Sequence, residues 1–300
     1  MRYGLVDGVD RRVSRIVLGT SGMRSYDGAA AILDAFVERG GTCLDSAHVY
    51  GGGACEAVLG QWLRRSGVRD GLVLVGKGAH PPDCRPEHIG PQLTESVDRL
   101  GVAHVDLYML HRDAEDVPVR EWVDAMHEEV RRGRVRAFGV SNWTTARIDE
   151  ANAYAAAAGA RGMVAVSNHF SLGSMAEPLY DGCVAVSGAD AEWFARRQLA
   201  LFPWSSQARG FFSDVDPAVL DPNMRRCWDH SENRVRRQRA AEVARWFGVP
   251  TINVALAYVL AQPFPTFPLI GPRSVAELDV ALGALAIDVS PRQLAWLAAG

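Results

Sequence analysis

Leu72-Val73-Leu74-Val75-Gly76-Lys77 is followed by a helical pattern from Glu87 to Leu100 and then by Val105-Asp106-Leu107-Tyr108-Met109-Leu110-His111. Short apolar runs read as strands, and a longer segment with apolar positions three and four apart reads as a helix between them. A strand, a helix and a strand in that order form a crossover unit whose two strands lie parallel. The alternation continues in both directions. Upstream, strands are expected near Ile16 to Leu18 and Thr42 to Leu44, after an N-terminal β-hairpin. Downstream, they are expected near Val135 to Gly139, Met163 to Ser167, Leu199 to Pro203 and Thr266 to Ile270. Helical patterns cover Ala29 to Glu38, Cys55 to Arg65, Val119 to Arg132, Ala240 to Phe247 and Val275 to Leu285. Eight strands with intervening helices predict an α/β fold, a (β/α)8 TIM barrel forming a single domain over residues 1–300. A doubly wound sheet is disfavoured because no GxGxxG turn follows the first strand. Gly51-Gly52-Gly53 reads instead as a loop turning into a helix.

Composition agrees with a globular enzyme-sized core: 48% of residues are hydrophobic and 22% charged. A net charge of -3 argues against nucleic acid. The dense basic stretch from Arg234 to Arg239 reads as a solvated helical face or an ion-pair network. No segment approaches the roughly 18 uninterrupted apolar residues of a membrane span, and the N-terminus has no signal-like apolar region. A cytoplasmic protein with free thiols at Cys43, Cys55, Cys84, Cys183 and Cys227 is expected.

In a barrel the reactive groups stand at the C-terminal ends of the strands. The second strand ends in Asp45, with Tyr50 in the loop beyond, the third in Lys77 and the fourth in His111. Singly, each has a structural explanation. Lys77, however, is the only lysine among 32 Lys and Arg residues, so that one position retains an ammonium. Together the four suit proton donation to a carbonyl oxygen. Tyr50 would be the acid, Lys77 would lower its pKa, Asp45 would keep Lys77 charged, and His111 would hydrogen-bond the carbonyl. No side chain supplies a hydride, so a nicotinamide cofactor is implied.

These residues lie in segments that resemble the aldo-keto reductase family over nearly the whole chain. Leu44-Asp45-Ser46-Ala47-His48-Val49-Tyr50-Gly51 with Glu56 and Leu59-Gly60 resembles the family's strand-2 signature. Asp106 to His111 resembles its strand-4 signature, and Gly133 to Asn142 its strand-5 signature. The resemblance implies a catalytic tetrad of Asp45, Tyr50, Lys77 and His111 and a small-molecule carbonyl or alcohol substrate. It also implies cofactor contacts from Gly19, Thr20, Asp45, Ser141, Asn142, Ser167 and the segment containing Trp204, Ser205, Ser206, Gln207, Arg209 and Gly210. Trp204 would stack on the nicotinamide, and Gly271, Arg273, Ser274 and Glu277 would surround the adenosine 2'-phosphate. Ser167, Glu277 and Ala281 depart from the family pattern. Arg273 favours NADP(H), with NAD(H) or dual use as the alternative.

The chain ends soon after the last expected helix, so substrate walls are expected from His48, His80, Trp143 and the insertion Phe211 to Glu232, which contains Met224 and Trp228. No metal site is expected. The rival functions are a non-catalytic NADP-binding redox sensor, a lysine Schiff-base aldolase and a metallohydrolase barrel using His48, His80 and His111, the last opposed by the lack of a His-x-His pair on the first strand.

Overall fold

A computed structural model describes residues 1–216 and 219–300. The N-terminal hairpin pairs β1 (Tyr3–Gly4) with β2 (Val13–Ser14) antiparallel. The chain then alternates: β3 (Val17–Gly19), α1 (Tyr26–Glu38), β4 (Cys43–Asp45), α2 (Ala54–Ser66), β5 (Val73–Gly78), α3 (Ile89–Leu100), β6 (Val105–Leu110), α4 (Val119–Arg131), β7 (Val135–Ser141), α5 (Thr145–Ala157) and β8 (Ala165–Ser167). It continues through α6 (Gly188–Arg197), β9 (Ala200–Leu201), α7 (Pro222–Trp228), α8 (Ser231–Phe247), α9 (Thr251–Leu260), β10 (Leu269–Ile270), α10 (Val275–Gly283) and α11 (Pro291–Ala298).

Strands β3 to β10 form one parallel eight-stranded sheet in the order β10-β3-β4-β5-β6-β7-β8-β9. The ring closes through the segment before β10. Leu201 N donates to Pro265 O and Phe267 N to Leu201 O, while Val17 N donates to Pro268 O. The sequence expectation of a (β/α)8 barrel with an N-terminal hairpin is therefore met. Strands β8, β9 and β10 are shorter than expected: Val164 and Thr266 to Pro268 bond to the neighbouring strands without entering the regular ladder, and the backbone of Met163 is taken up by the Asn152 side chain of α5.

Period-two alternation splits each strand between two apolar layers. Leu74, Tyr108, Leu110, Phe138 and Val140 pack outward against the helices, whereas Cys43, Val73, Val75, Leu107, Met109, Ala137, Ala165, Ala200 and Phe202 fill the barrel. Carrying the inward parity forward reaches Asp45, Lys77, His111, Ser141, Ser167 and Trp204. One alternation therefore builds the core and delivers the polar groups to the same end of it.

Two glycine positions matter for this layout. Gly51, Gly52 and Gly53 all have positive φ, and Gly53 N-caps α2, which confirms the loop-to-helix reading of the triplet. A Cβ at Gly60 would stand 2.1 Å from the Arg99 carbonyl oxygen, so a residue without a side chain lets α2 and α3 approach closely.

The helices were legible to different degrees. Helix α8 begins at Ser231, earlier than the arginine stretch suggested. Those arginines clamp neighbours more than they face solvent. Arg236 donates to Ala298 O, Arg237 to Ser213 O and Val215 O, and Arg239 to Trp296 O, while Arg234 pairs with Asp229. Helix α9 is almost entirely buried and so lacks an amphipathic signal. Helix α11 follows the last expected helix and packs on α8.

Candidate active site

Asp45 ends β4, and Tyr50 opens the turn that leads into α2. Lys77 lies near the end of β5, in register with Met109 of β6, and His111 follows β6 directly. Lys77 and Asp45 side chains are each 2% exposed, and Lys77 Nζ donates to Asp45 Oδ1 in a very short contact. Nζ also lies 3.5 Å from the Tyr50 hydroxyl and 3.4 Å from Ser46 O. The Tyr50 and His111 rings meet edge to face with centroids 5.8 Å apart. His80 packs on the other side of His111 at 5.0 Å.

Burial lowers the Lys77 pKa, but Asp45 and Tyr50 outweigh it and the balance is upward, so the ammonium persists. Burial pushes the Asp45 carboxyl up, opposed by Lys77. For Tyr50 the sequence expectation needs correction. Burial raises its pKa and outweighs the opposing ammonium, so the hydroxyl keeps its proton above the usual tyrosine range. His111 is pushed well below the ordinary histidine value, first by burial and then by Lys77, Arg112 and His80. Its ring is neutral near pH 7, and its Nδ1 is buried without a hydrogen-bond partner.

Next to this quartet, Ser141 Oγ donates to Ser167 O at 2.7 Å. Asn142 adopts a left-handed φ of 59°. That uncommon conformation is held from several sides. Asn168 Oδ1 accepts from Asn142 N, Asn142 Nδ2 donates to Ser141 Oγ and His111 O, and Asn142 Oδ1 accepts from Val184 N. Asn168 and the Val184 amide were missed in the sequence. A polar side chain immediately after a strand end was the available signal for Asn168, and a main-chain donor leaves none.

The Ser167 hydroxyl and the Trp204 indole N–H are both buried without a protein partner. These orphaned groups stand at strand ends next to the tetrad, where a flat polar ring can be held. Beyond Trp204, Ser205, Ala208, Arg209 and Gly210 all have positive φ. Left-handed residues in a turn can present backbone N–H groups to an anion in a concavity, and here Ala208 N, Gly210 N and Phe211 N are already donated within the turn, to Ser205 O, Gln207 O and Ala208 O. Ser206 does not extend its hydroxyl into this concavity, because Oγ donates to Leu269 O at 2.7 Å and ties the loop to β10. Thr20 is likewise internal: its amide donates to Asp45 O and its hydroxyl to Ser46 Oγ. Gly19 pairs with Asp45 across β3 and β4. Gly271, Arg273 and Ser274 are exposed ahead of α10, with Ser274 as its N-cap. These groups fit a nicotinamide dinucleotide.

Of the expected substrate walls, His80 packs its ring on His111, and His48 meets the tetrad through its backbone N–H, which donates to Lys77 O at 2.9 Å. His48 is drawn to α3, where its Nε2 lies 2.9 Å from Glu95 Oε2. Trp143 is fully buried, edge to face with Trp122 and covered by Arg147, so it is a core residue between α4 and α5. Trp228 is also fully buried, behind His169, which lies 5.0 Å from Trp204 and 5.8 Å from Trp228. Of the insertion Phe211 to Glu232, Pro217 and Ala218 lie outside the described residues. A cleft of about 680 Å³ beside α7 and α8 contains no tetrad residue, and its lining mixes Arg225, Arg234 and Arg237 with Asp214 and Asp229.

A closed parallel barrel with a buried Lys-Asp pair beside a tyrosine and a neutral histidine defines a class of proton-transfer sites. Residues 15–299 match the Aldo/keto reductase family, and the chain belongs to it. The protein is an oxidoreductase. It is similar to the uncharacterized oxidoreductase YrpG of Bacillus subtilis, 27% identical over 99% of this chain and 95% of that protein. It is also similar to the aryl-alcohol dehydrogenase [NADP(+)] of Phanerodontia chrysosporium, 27% identical over 98% of this chain and 84% of that one. The fold matches that of the thermostable aldo-keto reductase Tm1743 with a TM-score of 0.78 and 22% identity, covering 99% of both chains.

Proposed function

We propose that the protein interconverts a carbonyl compound and an alcohol with NADP(H), with Tyr50 as the general acid in reduction and the base in oxidation. The observation that carries this reading is the Lys77 ammonium, locked by Asp45 and 3.5 Å from the Tyr50 hydroxyl. Burial keeps Tyr50 protonated at neutral pH, so the acid is loaded. When it gives its proton to a carbonyl oxygen, the phenolate left behind faces the adjacent ammonium, which stabilises it. His111 has an unpartnered, buried Nδ1. A buried N–H without an acceptor is the costlier arrangement, so the neutral ring carries its proton on Nε2 and can donate it to the substrate oxygen.

The dinucleotide supplies the hydride when bound. Ser141, Asn142 and Ser167 would hold its carboxamide, Trp204 would cover one face of the nicotinamide, and the turn from Ser205 to Gly210 would cradle the pyrophosphate with Arg209 and Gln207 alongside. Arg273 and Ser274 favour a 2'-phosphate. The similarity to a dehydrogenase named for NADP(+) supports the same choice.

A Schiff base at Lys77 would need a deprotonated amine, and Asp45 opposes that. The test is a panel of aldehydes, ketones and oxidised sugars followed at the absorbance of reduced nicotinamide, with NADPH and NADH in parallel. The expected result is oxidation of NADPH only when a carbonyl compound is present. Tight cofactor binding with no turnover across the panel would favour the redox-sensor reading instead.

A further inference from the structure

The mouth of the barrel holds one strongly polar group that the proton-transfer chemistry does not use. Arg112 follows His111 in the chain and is half-buried. Its Nη1 donates to His111 O at 2.9 Å, and its Nη2 lies 3.9 Å from Cys183 Sγ. The stem runs beside Gly182, where a Cβ would stand 3.7 Å from Arg112 Cδ. The side chain therefore crosses from the end of β6 to the loop after β8, and that loop also sends Val184 N to Asn142.

Arg112 stands beside the tetrad without a carboxylate. Nearby arginines are paired: Arg85 with Asp116, Arg147 with Asp113, Arg99 with Glu56 and Glu95. Arg112 has no ion-pair partner among the described residues. A sulfur is a weak acceptor, so most of its N–H donors have no protein acceptor. Its charge nevertheless bears on both Tyr50 and His111, which puts it close to the reacting groups. The charges around it include Lys77, neutralised by Asp45, Asp113 and Asp116, paired with Arg147 and Arg85, and the exposed Asp181 beside Gly182. A half-buried cation without a counter-ion is unfavourable until a ligand brings one. The planar guanidinium fork matches a carboxylate with two parallel hydrogen bonds.

We propose that Arg112 is a specificity-determining residue that binds a carboxylate carried by the carbonyl substrate, so that the protein acts on aldehyde or keto acids in preference to neutral carbonyls. This rests on the reading of Tyr50 as the acid that serves a carbonyl. It goes further by naming the second functional group that the substrate carries.

The test compares 4-carboxybenzaldehyde with 4-(hydroxymethyl)benzaldehyde, similar in shape and different in charge, on the wild type, Arg112→Gln and Arg112→Lys. The wild-type kcat/KM ratio of acid to neutral aldehyde should be about tenfold or more, mostly through KM, because a charge-assisted pair is at stake. It should fall towards one in Arg112→Gln and recover in part in Arg112→Lys. A wild-type ratio near one, or the same ratio in Arg112→Gln, overturns the proposal.

If no aldehyde is turned over, the reductase reading fails and the arginine is judged by binding alone. Benzoate and benzyl alcohol are then titrated into the NADP+-saturated protein while tryptophan fluorescence is read. Benzoate should bind about tenfold tighter, and Arg112→Gln should remove that advantage. Equal affinities for the two probes overturn the assignment independently of catalysis.

Discussion

Lys77 and Asp45 bury opposite charges at the C-terminal end of the barrel, and neither would be tolerated there alone. Removing one partner of such a pair typically costs about 3 to 5 kcal/mol, because the survivor is left charged and desolvated. Lys77→Arg separates this structural role from the chemical one. The positive charge remains and Asp45 keeps a partner, so the variant should fold. The guanidinium is wider and its charge is spread over a plane, so it cannot occupy the point now 3.5 Å from the Tyr50 hydroxyl. A misplaced group beside reacting atoms can cost on the order of a hundredfold. Steady-state kinetics should therefore show kcat/KM down by about that factor, with the far-ultraviolet spectrum unchanged. Tyr50→Phe should lose turnover by a similar or larger factor while dinucleotide binding, followed by fluorescence quenching, stays near the wild-type value. Near-normal turnover in Lys77→Arg at neutral pH would remove the ammonium from the mechanism.

At the start of α10 the carboxylate of Glu277 has taken a place where an anion is favoured. Its Oε2 accepts from Arg273 N at 2.8 Å and its Oε1 lies 3.2 Å from Arg273 Nη2, while Ser274 Oγ accepts from Glu277 N. These contacts hold the Glu277 pKa below the usual carboxylate range, first through the backbone N–H of Arg273. A 2'-phosphate bound here, as proposed above, would have to share or displace that carboxylate. Glu277→Gln should therefore tighten NADPH and leave NADH little changed. Arg273, whose side chain is 89% exposed, is free to turn to the phosphate, and Arg273→Ala should weaken NADPH by about 1.5 kcal/mol while sparing NADH. Equilibrium titration of both cofactors decides this, and equal losses with NADPH and NADH would sink the assignment. The α10 turn also shows what was readable in advance. Elements and sites that depend on a period were legible: strand ends place Asp45, Lys77 and His111 without any structure, and the inward parity from Cys43, Val73 and Leu107 accounts for it, while Tyr50 was found in the loop just beyond Asp45. Loop side chains have no such rule. Trp143 turns under towards Trp122 and His48 turns out to Glu95 because of partners far away in sequence, and α9 escaped notice because burial on all sides erases its amphipathic stripe.

Across the whole molecule, the barrel isolates two imidazoles from solvent, and that links its stability to pH. His169 sits between Trp204 and Trp228, and burial pulls its pKa down to about 3. Its only side-chain hydrogen-bond contact among the described residues is Ser171 Oγ at 3.4 Å from Nε2. In the unfolded chain the same ring titrates near 6.5. Between those two values the unfolded state binds a proton that the folded state refuses, so acid favours unfolding. The contribution of a neutral His169 is thus fully present above about pH 6.5 and is lost as pH falls, by up to about 1.4 kcal/mol for each pH unit. Glu56 and Asp45, whose pKa values burial raises, respond in the opposite sense, so the raw pH profile mixes several groups. His169→Gln isolates the one in question, since an amide of similar size cannot take up the proton. Urea unfolding of wild type and variant at pH 7.5, 6 and 5 should show the wild type losing stability relative to the variant by roughly 1 to 2 kcal/mol over that range. A difference that stays constant with pH would mean that His169 protonates in the folded state, and that the space between Trp204 and Trp228 admits solvent.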